Sequence, residues 1–224
     1  MRSILSHLAV LSLAAIPVSA LTVGFEDLPF PPALDASTGL QYATAPGDGS
    51  RYAGIVWDSR VVVVGDHYRV DTSTPGPLFG LPHSGGYYIT NESSADGGNG
   101  ITLATTMVLT GGWFGQVEYY GFGGGADSIT IHALNGSTSL GFVTFTLPEL
   151  AAGQPEALSF VDTSSFTGLS GITGYRIDRH PSAPTADNWV ADDLQFTPVP
   201  EPRAMAVATG LLMVGFAAWR RCRR

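Results

Sequence analysis

The middle of this 224-residue chain consists of short runs of β-branched and aromatic residues, each ended by glycine, proline or an Asn-Gly pair. This pattern predicts many short strands, because glycine and proline interrupt regular structure and runs of this length suit strands better than helices. No run between the two ends of the chain has helical periodicity. About ten strands around one core predict an all-β fold, a two-sheet sandwich of the jelly-roll type. The expected strands are Leu21–Phe25, Tyr52–Trp57, Arg60–Val64, Gly86–Thr90, Ile101–Leu109, Gln116–Phe122, Ser128–Leu134, Leu140–Leu147, Leu158–Val161, Gly174–Arg179 and Trp189–Phe196.

The strongest local signal is a hairpin that spans Ser128–Leu147. In its second strand Val143 and Phe145 fall on one face and Thr144 on the other, as in a sheet with one solvated side. The pair Asn135-Gly136 between the two strands predicts a type I′ turn.

The N-terminus has the three parts of a secretory signal peptide. Arg2 supplies the charge, Leu8–Ile16 is apolar, and small residues precede Ala20. We expect residues 1–20 to be the signal peptide, with cleavage after Ala20. An uncleaved anchor is the alternative, but the apolar stretch is short for a membrane span.

The C-terminus predicts one transmembrane helix. Ala204–Trp219 contains no charge, and the cluster Arg220, Arg221, Arg223 and Arg224 follows at once. Arginines beside a short apolar segment stay cytoplasmic, so the preceding domain is expected outside the membrane. An amphipathic surface helix is a weaker alternative because the segment has no polar face.

Pro200-Glu201-Pro202 precedes this helix and forms an extended, accessible stretch. Residues 199–224 resemble the PEP-CTERM sorting signal, also described as the ice-binding protein C-terminal domain. The resemblance implies processing by an exosortase, a membrane transpeptidase, after transient anchoring in the inner membrane. It also implies discharge to the outer cell surface or an exopolysaccharide matrix. An ordinary single-pass anchor is the alternative.

The remaining segment, residues 21–198, is similar to a domain often found upstream of PEP-CTERM tails. The resembling pieces include Phe25–Leu28, Tyr52–Trp57, Phe166–Gly168 and Trp189–Leu194. This resemblance implies a jelly-roll-like extracytoplasmic β-sandwich and carries over no activity.

The charge of the chain narrows the classes of binding partner, and its cysteine content limits the covalent links it can form. Residues 21–198 hold five arginines against eighteen acidic residues, and the chain has no lysine. An acidic body without a basic stripe repels phosphate backbones, which argues against nucleic acid. Cys222 is the single cysteine, so the domain has no disulfide. Lipidation of Cys222 is an alternative to a plain juxtamembrane residue.

No catalytic set is evident. There is no Gly-x-Ser-x-Gly motif, and His67, His83, His132 and His180 are dispersed without ligand spacing. We therefore expect no enzyme and no catalytic residues. A glycoside or polysaccharide hydrolase or lyase on the same scaffold is the alternative, because paired carboxylates can lie far apart in sequence.

Aromatic pairs suggest a binding role instead. In a strand, one member of each pair of adjacent rings points away from the core, so Trp113, Tyr87 and Tyr119 are candidates for stacking on sugars. The alternative is that these rings cover sheet edges or the outer faces. We expect a non-catalytic surface or matrix protein that associates with glycans.

A structural Ca²⁺ is predicted where the first and last strands of the domain meet. Alternation places Asp192 on the face of Leu194 and Phe196, hence inward, and Glu26, Asp27 and Asp193 lie close by in the same two strands. Hard oxygen ligands of this kind suit calcium. Strand ends capped by hydrogen-bonded acids are the alternative.

Overall fold

The structure is a computed structural model. It describes the backbone of residues 19–28, 43–44, 51–58, 60–65, 82–91, 100–116, 125–148, 158–181, 188–199, 216 and 218–221.

These residues form thirteen strands and one 3-10 turn, Ser164–Gly168. The strands are β1 (Leu21–Val23), β2 (Ala43–Thr44), β3 (Arg51–Tyr52), β4 (Ile55–Trp57), β5 (Val61–Gly65), β6 (Tyr87–Asn91), β7 (Ile101–Ala104), β8 (Val108–Gln116), β9 (Ala126–Asn135), β10 (Thr138–Thr146), β11 (Ser159–Asp162), β12 (Gly174–Pro181) and β13 (Trp189–Thr197).

The strands form two antiparallel sheets. The seven-stranded sheet has the order β11-β8-β13-β6-β5-β2, with β1 also paired to β13. The six-stranded sheet has the order β10-β9-β12-β7-β4-β3. The predicted all-β, two-sheet sandwich is therefore confirmed.

The core lies between the two sheets and follows strand alternation. In β9 the side chains of Ile129, Ile131 and Ala133 are fully buried in the core cluster, whereas the His132 side chain lies on the other face and is partly exposed. Tyr175 of the six-stranded sheet is also buried, and its hydroxyl donates to the carbonyl of Met107. Burial of side chains of this size stabilises the fold by roughly 2 kcal/mol each.

The predicted hairpin is confirmed as β9 and β10, but the predicted turn is wrong by one residue. Thr138 pairs with Asn135, so the two-residue loop is Gly136-Ser137. Gly136 has a φ of 59°, and neither Asn135 nor Ser137 has a positive φ. A positive φ at the first central residue alone is the pattern of a type II′ turn.

Two other predicted strands are each divided. Ile101–Leu109 is split between β7 and β8, which belong to different sheets, at a bend where the Thr105 hydroxyl accepts from the N–H of Met107. The segment Tyr52–Trp57 contains the hairpin turn of β3 and β4, with Ala53 and Gly54 at φ of 52° and 76°. Of the predicted strand Gln116–Phe122, only Gln116 is described, at the end of β8.

Ala20–Pro198 form one compact unit. The signal peptide apart from its last residues, the sorting motif Pro200–Pro202, and most of Ala204–Trp219 lie outside the described residues. Helical backbone is described at Phe216 and Ala218–Arg221. Within the described part of the chain, no helix is long and apolar enough to cross a membrane.

Candidate functional site

The outer face of the seven-stranded sheet carries a row of three side chains across β11, β8 and β13. Phe160 pairs with Trp113, and Trp113 pairs with Asp192. Directly paired residues of antiparallel strands point to the same face. The neighbouring residues Val161 and Phe114 are fully buried in the core, so the row faces away from it.

The segment before β6, Pro82–Gly86, covers one end of this row. The imidazole of His83 stacks on the indole of Trp113, with ring centroids 3.7 Å apart and planes 14° from parallel. The N–H groups of His83 and Ser84 donate to Oδ2 of Asp192 at 2.8 and 3.0 Å. The carboxylate of Asp192 is buried because this segment lies over it.

The predicted burial of Asp192 is confirmed, but the predicted inward direction of its side chain is wrong. The ladder between β13 and β8 shifts register between Asp192 and Gln195, and Asp193 has a φ of 45°. This irregularity works as a β-bulge, which inserts a residue and reverses the alternation. Ala191 and Leu194 therefore both reach the core, while Asp192 lies on the outer face with Trp113.

The end of β1 meets the same covering segment. Oε1 of Glu26 accepts hydrogen bonds from the N–H groups of Gly86 and Tyr87 at 2.9 and 2.8 Å. Gly85 lies at φ 60°, and a Cβ there would be 2.2 Å from Cδ of Glu26. Only glycine fits this position. Asp27 turns elsewhere and accepts from the hydroxyl of Tyr52 at 2.5 Å.

Three of the four predicted calcium ligands, Glu26, Asp192 and Asp193, therefore gather around one short segment. Asp193 contacts Nδ1 of His83 at 2.6 Å and accepts from the hydroxyl of Ser84 at 3.0 Å. Among the described residues, no group of three His, Cys, Asp or Glu side chains is arranged to hold a metal ion. The oxygen donors suit calcium in kind, but protein N–H and O–H groups already contact them, so calcium binding stays a prediction.

Burial raises the pKa of Asp192 to about 6, even though the N–H groups of Ser84, Asp193 and His83 favour its ionised form. The neighbouring carboxylate of Asp193 adds to the increase. An ionised Asp192 at neutral pH is therefore held at a free-energy cost, which a nearby cation would reduce.

Ser84, His83 and Asp193 are the residue types of a hydrolase triad, but their geometry differs from one. In a triad the imidazole lies between the hydroxyl and the carboxylate. Here the carboxylate of Asp193 lies between the other two, contacting both the hydroxyl and the imidazole. This arrangement places no imidazole at the serine hydroxyl, so the trio does not have the geometry of a triad.

Phe160 extends the ring cluster on the side of Trp113 that faces β11. Its ring is 5.6 Å from the indole and inclined at 66° to it. A Cβ on Gly111 would be 2.3 Å from Cζ of Phe160, so the phenyl ring lies against the backbone of Gly111. Phe160, Trp113 and His83 together form a surface that we call the aromatic strip.

Of the three predicted glycan contacts, Trp113, Tyr87 and Tyr119, the structure places one in the aromatic strip. Trp113 is half-buried within the aromatic strip. Tyr87 is partly buried and packs against the core, and Tyr119 lies outside the described residues. The sequence does not identify His83 and Phe160 as members of the strip. Each is far from Trp113 in sequence, so no motif or spacing indicates that the three rings are neighbours.

The outer face of the six-stranded sheet carries a separate polar network. Arg176 pairs with Asp178 at 2.8 Å, and Nε2 of His132 is 3.1 Å from the same carboxylate. His180 contacts the hydroxyl of Thr130 at 2.8 Å. Two of the dispersed histidines thus make local contacts on this face.

No family model matches the chain, and no curated protein matches it. Among solved structures, the chain is similar to the K2 cleaved adhesin domain of Lys-gingipain, with a TM-score of 0.37 and 16% identity. The match covers 81% of this chain and 99% of that chain.

Proposed function

We propose that the protein is an exported, exosortase-sorted surface or matrix protein whose jelly-roll-like sandwich binds glycan without catalysis. The observation that carries the glycan proposal is the aromatic strip. It is a patch of three neighbouring rings on an outer sheet face, with polar groups of Asp193 and Ser84 at one end.

The geometry of the strip suits a sugar ring. Phe160 lies low over Gly111 and is 38% exposed, while the indole of Trp113 is inclined to it. The two rings form a corner in which the C–H face of a sugar contacts Phe160 and its edge contacts Trp113. Carboxylate and hydroxyl groups at the far end are suitable partners for sugar hydroxyls.

Rigidity supports the same proposal. The segment that carries His83 is tied down by the carboxylates of Glu26, Asp192 and Asp193. A preorganised binding surface loses less conformational entropy on binding than a mobile one.

The sorting half of the proposal rests on Pro200-Glu201-Pro202 and the arginine cluster in the sequence.

The test uses the full chain in detergent and short oligosaccharides prepared from the host exopolysaccharide. We expect binding by calorimetry, a loss of at least about tenfold in affinity for Trp113→Ala and Phe160→Ala, and unchanged affinity for Phe142→Ala. Phe142 is the matched control because it is an exposed ring on the other sheet.

A reducing-sugar assay on the same samples separates binding from hydrolysis. We expect no new reducing ends. Release of reducing ends would instead support the hydrolase alternative, and equal affinity of the wild type and both strip variants would contradict the glycan site.

A further inference from the structure

The terminal strands of the two sheets differ sharply in length. β2 and β3 have two residues each and β11 has four, whereas β10 has nine. Short edge strands are a common way to prevent pairing with another chain, because they offer few free N–H and C=O groups. Within the described residues, three of the four terminal strands are short in this way, and β10 is not.

β10 also lacks the residues that usually protect a long edge. The segment Thr138–Thr146 contains no charged residue and no proline. Its ladder with β9 has one irregularity, between Ser139 and Gly141, and Phe142–Thr146 then pair regularly with β9. Lysine, proline and strong bulges are the features that discourage edge pairing, and the second half of β10 has none of them.

The side chains of β10 are incompletely covered. Phe142 is 65% exposed on the outer face, and Thr144 and Thr146 beside it are exposed as well. On the core side Val143 and Phe145 are only partly buried, unlike their counterparts in β9. In the part of the chain that the structure describes, β9 is the one strand that pairs with β10.

We propose that β10 is a self-association edge, which pairs in antiparallel orientation with β10 of a second copy of this chain. A two-fold axis perpendicular to the sheet keeps the outer faces on the same side, so Phe142 and Thr144 of one copy lie beside the same strand of the other. The partner is a second copy because an uncharged strand is complementary to itself and offers no charge to an acidic or basic peptide.

The rest of the molecule predicts a salt dependence for this association. The body of the chain holds many more acidic residues than arginines, so two copies repel each other. Salt screens this repulsion. The dimer therefore becomes tighter as the ionic strength increases, which is the reverse of an interface made of ion pairs.

Sedimentation velocity of the full chain in detergent, over a wide range of concentrations, tests the proposal. The wild type should form a dimer. Thr144→Lys places two like charges across the two-fold axis and should weaken the dimer by at least about tenfold. Thr106→Lys adds the same charge at an exposed bend just after β7, a strand that β9 and β12 separate from β10, and should leave the dimer intact.

Hydrogen exchange of the wild type keeps the proposal falsifiable if Thr144→Lys fails to fold. Amides of β10 that point away from β9 should become more protected as the protein concentration increases. A wild type that stays monomeric, equal dimerisation of the two lysine variants, or protection independent of concentration would overturn the proposal.

Discussion

The imidazole of His83 covers one face of the indole of Trp113, at a centroid distance of 3.7 Å, although the two residues are thirty positions apart in sequence. The contact exists because the N–H groups of His83 and Ser84 are held by the carboxylate of Asp192. Asp192 in turn lies opposite Trp113 in the sheet. The positions of His83, Trp113 and Asp192 therefore depend on one another.

Removing the imidazole should expose the indole. We expect His83→Ala to shift tryptophan emission to the red, to increase quenching by acrylamide, and to destabilise the fold by about 1 kcal/mol, because a ring stack is lost. Trp57 and Trp189 are buried and should not contribute to the change. His180→Ala, which removes an exposed imidazole from the other sheet, is the control, and equal quenching of the two variants would contradict the stack.

Asp192 should matter for stability more than an exposed acid does. Asp192→Ala leaves the N–H groups of His83, Ser84 and Asp193 without their carboxylate acceptor, and we expect a loss of about 2–3 kcal/mol in the free energy of unfolding. Asp162→Ala removes one acceptor at an exposed site and should lose less than about 1 kcal/mol. Urea unfolding of both variants at about pH 4, where the stability contributed by Asp192 is still largely present, measures both losses. A smaller loss for Asp192→Ala than for Asp162→Ala would be inconsistent with the structure.

The raised pKa of Asp192 predicts a specific pH dependence. Its pKa is about 6 in the folded protein, against roughly 4 in an unfolded chain, so the folded state binds the proton more tightly. The stability that this group contributes is present below about pH 4 and is lost as the pH rises to about 6, a change of roughly 3 kcal/mol. The difference in the free energy of unfolding between the wild type and Asp192→Asn should therefore change between pH 4 and pH 7. A difference that stays constant over this range would contradict the raised pKa.

Calcium should raise the thermal unfolding midpoint if Glu26, Asp192 and Asp193 bind it. A cation among these carboxylates would offset the free-energy cost of an ionised Asp192 and would bind the native state alone. We expect the midpoint to fall on addition of a chelator and the effect to vanish in Asp192→Ala. Magnesium at equal concentration is the control, because its smaller octahedral shell fits such a site poorly. An unchanged midpoint on chelation would contradict the calcium prediction.

The tail prediction concerns the mature protein. In a host with an exosortase, we expect the released protein to lack the residues beyond roughly Pro202, and in a host without one to keep them and stay with the membrane. Intact mass of both products measures this. Secreted material from the first host that still carries Arg220–Arg224 would rule out sorting.

The all-β class, most of the strands and the hairpin of β9 and β10 could be predicted from the amino-acid sequence. These features depend on neighbouring residues. Alternation such as Val143, Thr144, Phe145 decides which face of a strand is apolar, and a glycine after Asn135 permits the turn. Such alternation also predicted that Asp192 is buried, but its burial comes from the segment Pro82–Gly86, which lies over it on the outer face.

The direction of the Asp192 side chain, the ring stack and the division of Ile101–Leu109 between two sheets depend on tertiary structure and could not be predicted. The bulge at Asp193 reverses the alternation without any change in the hydrophobic pattern, because the pattern does not record backbone φ. The stack needs a turn before β6 to reach a strand that follows much later in the chain. Contacts of this kind depend on sheet order and register, which non-local pairing sets once the core has formed.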